Sequence, residues 1–211
     1  MKENKTGKVY LVGAGPGDAS LISLKGLEMI RRAEVIVYDH LVDPTLLNEA
    51  QPGATLICAG KRASHHTMKQ ADTNRLLVQL AMEGKTVVRL KGGDPFIFGR
   101  GGEEGESLDS FGIEWESIPG ISSFYSVAES FKIPVTMRGE ASSVHVITAH
   151  EDPLKAKQSI DYGILAREEG TLVFLMGLSR IGRIAQALIE GGKDPETPCA
   201  VVTNGTLPDQ R

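Results

Sequence analysis

The sequence predicts an α/β protein with mostly parallel sheets divided between two domains. Two observations lead there. Short β-rich apolar runs alternate with helical patterns along the 211 residues, and glycine, acidic or basic punctuation recurs just after those runs. Such alternation implies right-handed crossovers between parallel strands. Parallel strands align their carboxyl ends, so the punctuation collects along sheet edges and outlines a cleft, the place where open α/β sheets bind small molecules.

Taken in order, a first strand over 8–12 ends in Gly13-Ala-Gly-Pro-Gly-Asp18. A helix over 23–32 leads to a strand over 35–38, followed by Asp39. A strand over 55–58 precedes Lys61-Arg62, and a helix spans 69–83. In that helix Leu76, Leu77, Leu80 and Ala81 form an i, i+1, i+4, i+5 stripe that needs a core to face. A strand over 86–90 runs into Lys91-Gly-Gly-Asp-Pro-Phe-Ile-Phe-Gly-Arg100, then come a helix over 102–111 and a strand over 114–118. Pro119-Gly120 marks the boundary, giving domains 1–118 and 119–211. The second domain holds a helix over 122–131, strands over 144–148 and 171–175, and a helix over 179–190 with the stripe Ile181, Ile184, Ala185, Leu188 and Ile189. A last strand over 199–203 ends at Asn204-Gly205, while 150–167 reads as a polar loop with a weak helix.

Composition narrows the function classes. A formal charge of −4 argues against general affinity for nucleic acid or anionic membranes, and an anionic substrate then needs a local basic patch. Cys58 and Cys199 have no metal or redox spacing and end apolar segments, which predicts buried free thiols in a reducing compartment. The amino terminus lacks the apolar core of a signal peptide, and no apolar stretch is long enough to span a bilayer. A cytoplasmic location is expected.

The most informative decapeptide is 91–100. Paired glycines leave the main chain open to a ligand, Asp94 adds a directional acceptor, and Pro95 sets the next turn. The first loop invites a dinucleotide reading with Asp39 as the ribose-binding acid, yet Pro16 sits in the turn and Asp18 replaces the third glycine. A structural turn and a loop facing another ligand both remain open. For Asp39 the alternatives are a general base at the cleft mouth and an N-cap for the segment starting at Pro44. Lys61, Arg62, Arg100 and Arg138 are either solvated charges or a cationic floor for a carboxylate-rich substrate. Glu103 and Glu104 complement a helix start, and His145 reads as a satisfied core residue. No cluster has convincing metal spacing, so no metal is expected.

In this order the motifs resemble the tetrapyrrole (corrin/porphyrin) methylase family. The resembling text is Val9-Tyr-Leu-Val-Gly-Ala-Gly-Pro-Gly-Asp18, Val37-Tyr-Asp-His-Leu-Val42, Gly60-Lys-Arg62, Val88 through Glu104, Ile118-Pro-Gly-Ile-Ser122, Ile133-Pro-Val-Thr136, Val173-Phe-Leu-Met-Gly-Leu178 and Asn204-Gly-Thr206. The resemblance implies two αβα domains with S-adenosylmethionine in the cleft between them, a homodimer, and C-methylation of uroporphyrinogen III at two pyrrole carbons to give precorrin-2. A sister methylase acting on a later corrin, a diphthamide intermediate or ribosomal RNA is the near alternative; an oxidoreductase or a non-catalytic ligand-binding module is the more distant one. By position, Pro16, Gly92, Gly93, Asp94, Ile97, Met176 and Gly205 are implied to contact S-adenosylmethionine, Asp39 to accept a proton and Lys61 to donate one. The family's Thr-Ala after Pro-Gly-Ile is Ser122-Ser123 here, and both positions are carried over as cofactor contacts. Relatives continue with a further strand-helix-strand where this chain stops at Gln210-Arg211. The expectation is therefore a truncated or short second sheet, with adenine pocket and dimer contacts incomplete.

Overall fold

The computed structural model describes residues 6–60, 68–150 and 160–211. The chain divides into two compact units, one of Met1–Ser123 with Thr206–Pro208, the other of Phe124–Gly205 with Asp209–Arg211. Lys61 and Arg62, expected as proton donor and substrate clamp, lie outside the described residues.

In the first unit five strands form one sheet in the order β3-β2-β4-β1-β5, every pair parallel. They are β1 (Lys8–Gly13), β2 (Val35–Tyr38), β3 (Thr55–Cys58), β4 (Val87–Lys91) and β5 (Glu114–Ile118). Central β4 is buried at all five positions, whereas edge strand β3 is half open. Alternation sends Val9, Leu11, Val35, Val37 and Val87 to one face, against Leu77, Val78 and Ala81 of α2 (Gln70–Met82) and Leu108 of α3 (Gly101–Asp109). Val12, Ile36, Val88, Leu90 and Ile118 take the other face, against Met29 and Ile30 of α1 (Leu24–Arg32). Each fully buried aliphatic side chain contributes about 1.5–3 kcal/mol, so the two layers hold the strand tips in fixed relation.

Caps set the entry angles. Ser23 accepts from the Gly26 N–H at 3.1 Å and starts α1. Asp43 accepts from the Thr45 N–H at 2.8 Å and caps the 3₁₀ segment Pro44–Glu49. The capping alternative considered for Asp39 is thus taken by Asp43.

The second unit contains the parallel pair β6 (Val144–Thr148) and β7 (Thr171–Leu175) with α4 (Ser123–Ser130), α5 (Tyr162–Ala166) and α6 (Ile181–Glu190). Four expectations are corrected here. Residues 199–203 do not form a strand: a strand needs a ladder partner, and Thr203 instead exchanges both backbone bonds with Arg211, at 2.8 and 3.1 Å. Cys199 is consequently exposed rather than buried, and Cys58 is only half-buried. The apolar stripe of α6 buries only Ile184, because two strands offer a helix a narrow floor; Ile181 and Ile189 stay exposed. His145 is a partly exposed ion-pair partner of Glu168, with Nε2 3.3 Å from Oε2, rather than a core residue.

Candidate functional site

The tips of β1, β4 and β5 meet backbone to backbone. Gly15 and Gly93 exchange main-chain bonds (Gly15 N–H to Gly93 O, 3.2 Å; Gly93 N–H to Gly15 O, 2.7 Å). Both have positive φ, +88° and +67°. A Cβ on Gly13 would stand 2.5 Å from Gly120 Cα and 2.6 Å from Gly93 O, so that glycine is required by neighbouring backbone. Gly93 differs: a Cβ there meets nothing within 4 Å, so the side where a side chain would stand is open, although its N–H and C=O are both bonded to Gly15. That open side leaves room for a ligand to lie against the turn. Pro16 and Gly92 are half-buried beside it.

Asp94 is tied into the same junction. Its Oδ1 accepts from the N–H groups of Phe96 (2.8 Å) and Ile97 (3.2 Å), and its Oδ2 accepts from Gly120 N–H (3.1 Å). The loop it holds presents Phe96, Ile97 and Phe98 to solvent, with Phe98 and Arg100 at φ of 54° and 58°. Left-handed non-glycine residues cluster at ligand sites because the strain persists only where surroundings enforce it. Ser122 is buried two residues beyond Gly120, and Ser123 opens α4. Asp18 caps the next 3₁₀ turn through the Ser20 N–H at 2.8 Å; the Ser20 hydroxyl, with that N–H, draws its carboxylate below the usual range, which fits a loop with a structural acid better than a pyrophosphate site.

Beneath these tips lies a charged cluster that the sequence reading did not single out. Arg89 and Lys91 alternate with Val88 and Leu90 on β4, on the face covered by α2 and α3, and they are 4 % and 3 % exposed. Glu104 of α3 is completely buried. Its Oε1 accepts from Arg89 Nε (3.0 Å), Lys91 Nζ (3.0 Å) and Gln70 Nε2 (3.1 Å), while its buried Oε2 has no hydrogen-bond partner among the described residues. The other side of the Arg89 fork reaches Asp39, with an Nη2–Oδ1 distance of 2.6 Å. Asp39 is anchored where β2 ends by its N–H to Leu90 O at 3.1 Å, and its side chain is 27 % exposed. Burial opposes the charge on Arg89, yet the carboxylates of Asp39 and Glu104 more than offset it and hold its proton more tightly than usual. Burial, aided by the neighbouring Arg89 charge, pulls Lys91 below the ordinary ammonium value. The missed signal was legible: two bases spaced i, i+2 in a buried strand demand buried acids.

Other expected residues are placed separately. Arg100 forks onto Glu103, with Nε–Oε1 2.8 Å and Nη2–Oε2 2.6 Å. Glu103 thereby keeps the structural role expected of it, and the Arg100 side chain pulls its carboxyl down. Met176, Gly205 and Arg138 belong to the second unit. Met176 follows β7 at φ 57° and is exposed, Gly205 packs against Val127, and Arg138 is exposed in the turn between Met137 and Ala141. Among the described residues no group of acidic, His and Cys side chains could hold a metal ion, and no helix is long and apolar enough to cross a membrane.

The family model described as Tetrapyrrole (Corrin/Porphyrin) Methylases matches residues 8–211. An S-adenosyl-L-methionine-dependent uroporphyrinogen III methyltransferase of Methanosarcina barkeri is 52% identical over 205 residues, covering 97% of this chain and 80% of that protein. A siroheme synthase of Zymomonas mobilis is 45% identical over 211 residues, all of this chain but only 44% of that longer protein. The crystal structure of uroporphyrin-III C-methyl transferase from Thermus thermophilus complexed with S-adenyl homocysteine matches with a TM-score of 0.81 at 38% identity, over 97% of this chain and 81% of that one.

Proposed function

Because this chain belongs to the tetrapyrrole (corrin/porphyrin) methylases, we propose that it methylates two pyrrole carbons of uroporphyrinogen III, using S-adenosylmethionine and giving precorrin-2 for sirohaem or cobalamin synthesis. The observation that carries the reading is the 52% identity, across 97% of the chain, to a relative named for that reaction. The cofactor supplies a methyl already activated on a sulfonium, which leaves the protein with alignment, exclusion of water and removal of a proton.

The residues divide those tasks. Pro16, Gly92, Gly93, Asp94, Ile97, Ser122 and Ser123 hold the cofactor, a reading that the open side of Gly93 and the Asp94-braced loop favour. The family resemblance assigns Met176 and Gly205 to cofactor binding as well. Asp39 takes the proton lost from the alkylated macrocycle, being a part-exposed carboxylate fixed by Arg89. Lys61 donates a proton. Arg62, Arg100 and Arg138 receive substrate carboxylates, and Arg100 exchanges Glu103 for one of them, since a guanidinium fork binds either carboxylate in the same bidentate way. The protein works as a cytoplasmic homodimer in which each chain has these residues.

Incubation with methyl-labelled S-adenosylmethionine and uroporphyrinogen III tests the reading and should yield labelled precorrin-2. Absence of transfer while the cofactor binds overturns it. Asp39→Asn should retain affinity for S-adenosylhomocysteine and lose roughly 10²–10⁴-fold in rate. Full turnover by that variant removes Asp39 from the chemistry.

A further inference from the structure

We propose that Glu104 is a positioning residue for methyl transfer, aiming the carboxylate of Asp39 through Arg89. The inference rests on Asp39 being the base, as argued above.

The geometry supports aiming rather than simple charge balance. Arg89 is gripped along its whole guanidinium: Nε donates to Glu104 Oε1, Nη1 to the carbonyls of Val37 and Leu90 at 3.4 Å each, and Nη2 to Asp39 Oδ1. A planar fork held at three nitrogens has no freedom to rotate, so the direction of the Nη2–H bond is set by the Glu104 end. Asp39 itself sits past the last residue of β2, where its backbone allows several side-chain directions. The guanidinium selects one of them.

Glu104 is also an expensive way to build a core. It is wholly buried, and it satisfies one oxygen three times while leaving the other without a partner among the described residues. Buried carboxylates kept only for packing are replaceable by apolar groups of similar volume at little cost, and satisfied ones use both oxygens. What this arrangement retains is a fixed negative point on Arg89 Nε, next to the nitrogen that donates to Asp39. Lys91 and Gln70 grip the same oxygen, so Glu104 is itself immobile in α3.

A double-variant cycle separates this from a structural role. Glu104→Gln keeps the shape and the Oε1 acceptor but weakens the grip on Arg89. It should lower kcat by about 10²-fold, the scale of a misplacement near 1 Å. Binding of S-adenosylhomocysteine should stay within about twofold, since no cofactor-loop contact is touched. In an Asp39→Asn background the same substitution should add almost nothing, because the aimed group is gone. Multiplying losses in the double variant, wild-type kcat for Glu104→Gln, or cofactor affinity falling in step with rate overturns the proposal. Should Glu104→Gln fold poorly, Arg89→Met/Glu104→Gln removes one charge of each sign and leaves Lys91 its acceptor. Folding with a low rate supports aiming, and folding with wild-type turnover overturns it. Full turnover by Asp39→Asn alone refutes the role of Asp39 instead, so the two failures are distinguishable.

Discussion

Arg89→Met is the perturbation whose outcome follows most directly from the buried cluster. In the native protein the two cations Arg89 and Lys91 balance the two anions Asp39 and Glu104, giving zero. Truncating the guanidinium leaves one cation against two anions, a residual charge of −1 around a carboxylate that is 0 % exposed. Breaking a buried pair from one side costs about 3–5 kcal/mol, because the abandoned charge remains desolvated. Two features place the variant at the lower end, about 3 kcal/mol: Lys91 still donates to Glu104 at 3.0 Å, and Asp39 is part-exposed and can hydrate. Urea unfolding followed by fluorescence reads this in the right place. The chain has one tryptophan, Trp115, in β5 of the same unit, with its indole N–H bonded to Asp109 at 2.8 Å. With m of about 1–3 kcal/mol/M, the midpoint should fall by about 1–3 M at constant m. Adding Glu104→Gln should recover much of the loss, since no unpaired anion then remains buried. A destabilisation below about 1 kcal/mol for Arg89→Met, with m unchanged, refutes the reasoning.

Two further outcomes are expected. Gly13→Ala should destabilise the first unit by roughly 1–3 kcal/mol in urea unfolding, since its Cβ meets Gly120 Cα and Gly93 O, backbone atoms that cannot swing aside; wild-type stability would contradict the close approach of the three tips. Glu34 accepts the Thr86 N–H at 2.8 Å, and that bond, with help from Lys85, lowers its folded-state pKa. The stabilisation is therefore present above the unfolded value of about 4.3 and lost as pH falls through the lower folded value. Glu34→Gln should cost less than about 1 kcal/mol at pH 7, because the group is part-exposed, and its deficit should vanish near pH 3; a deficit unchanged by acid counts against the assignment.

Much of the fold could be read from local chemistry. The strands at 35–38, 55–58, 114–118, 144–148 and 171–175 coincide with β2, β3, β5, β6 and β7, because β-branched runs bounded by glycine, acid or proline leave little choice of limits. Residues 199–203 have the same local composition without a neighbouring strand, and pairing is a tertiary property that composition does not carry. The loop residues Gly93 and Asp94 stood out in the sequence, whereas the mutual demand of Gly13 and Gly120 for a missing side chain is a tertiary contact that the sequence does not display. Glu104 was obscured by its helix-start position, where an acid already has an explanation in the dipole. The register Val37↔Arg89 brings Asp39, at the end of β2, within reach of the Arg89 that also holds Glu104.

A crystal structure with S-adenosylhomocysteine bound tests the central claim most directly. The account predicts the ligand against the open side of Gly93, beside Gly92 and the Asp94-braced loop, with the Asp39 carboxylate still gripped by Arg89. Ligand bound elsewhere, or Asp39 turned away from Arg89 once the site is filled, contradicts it.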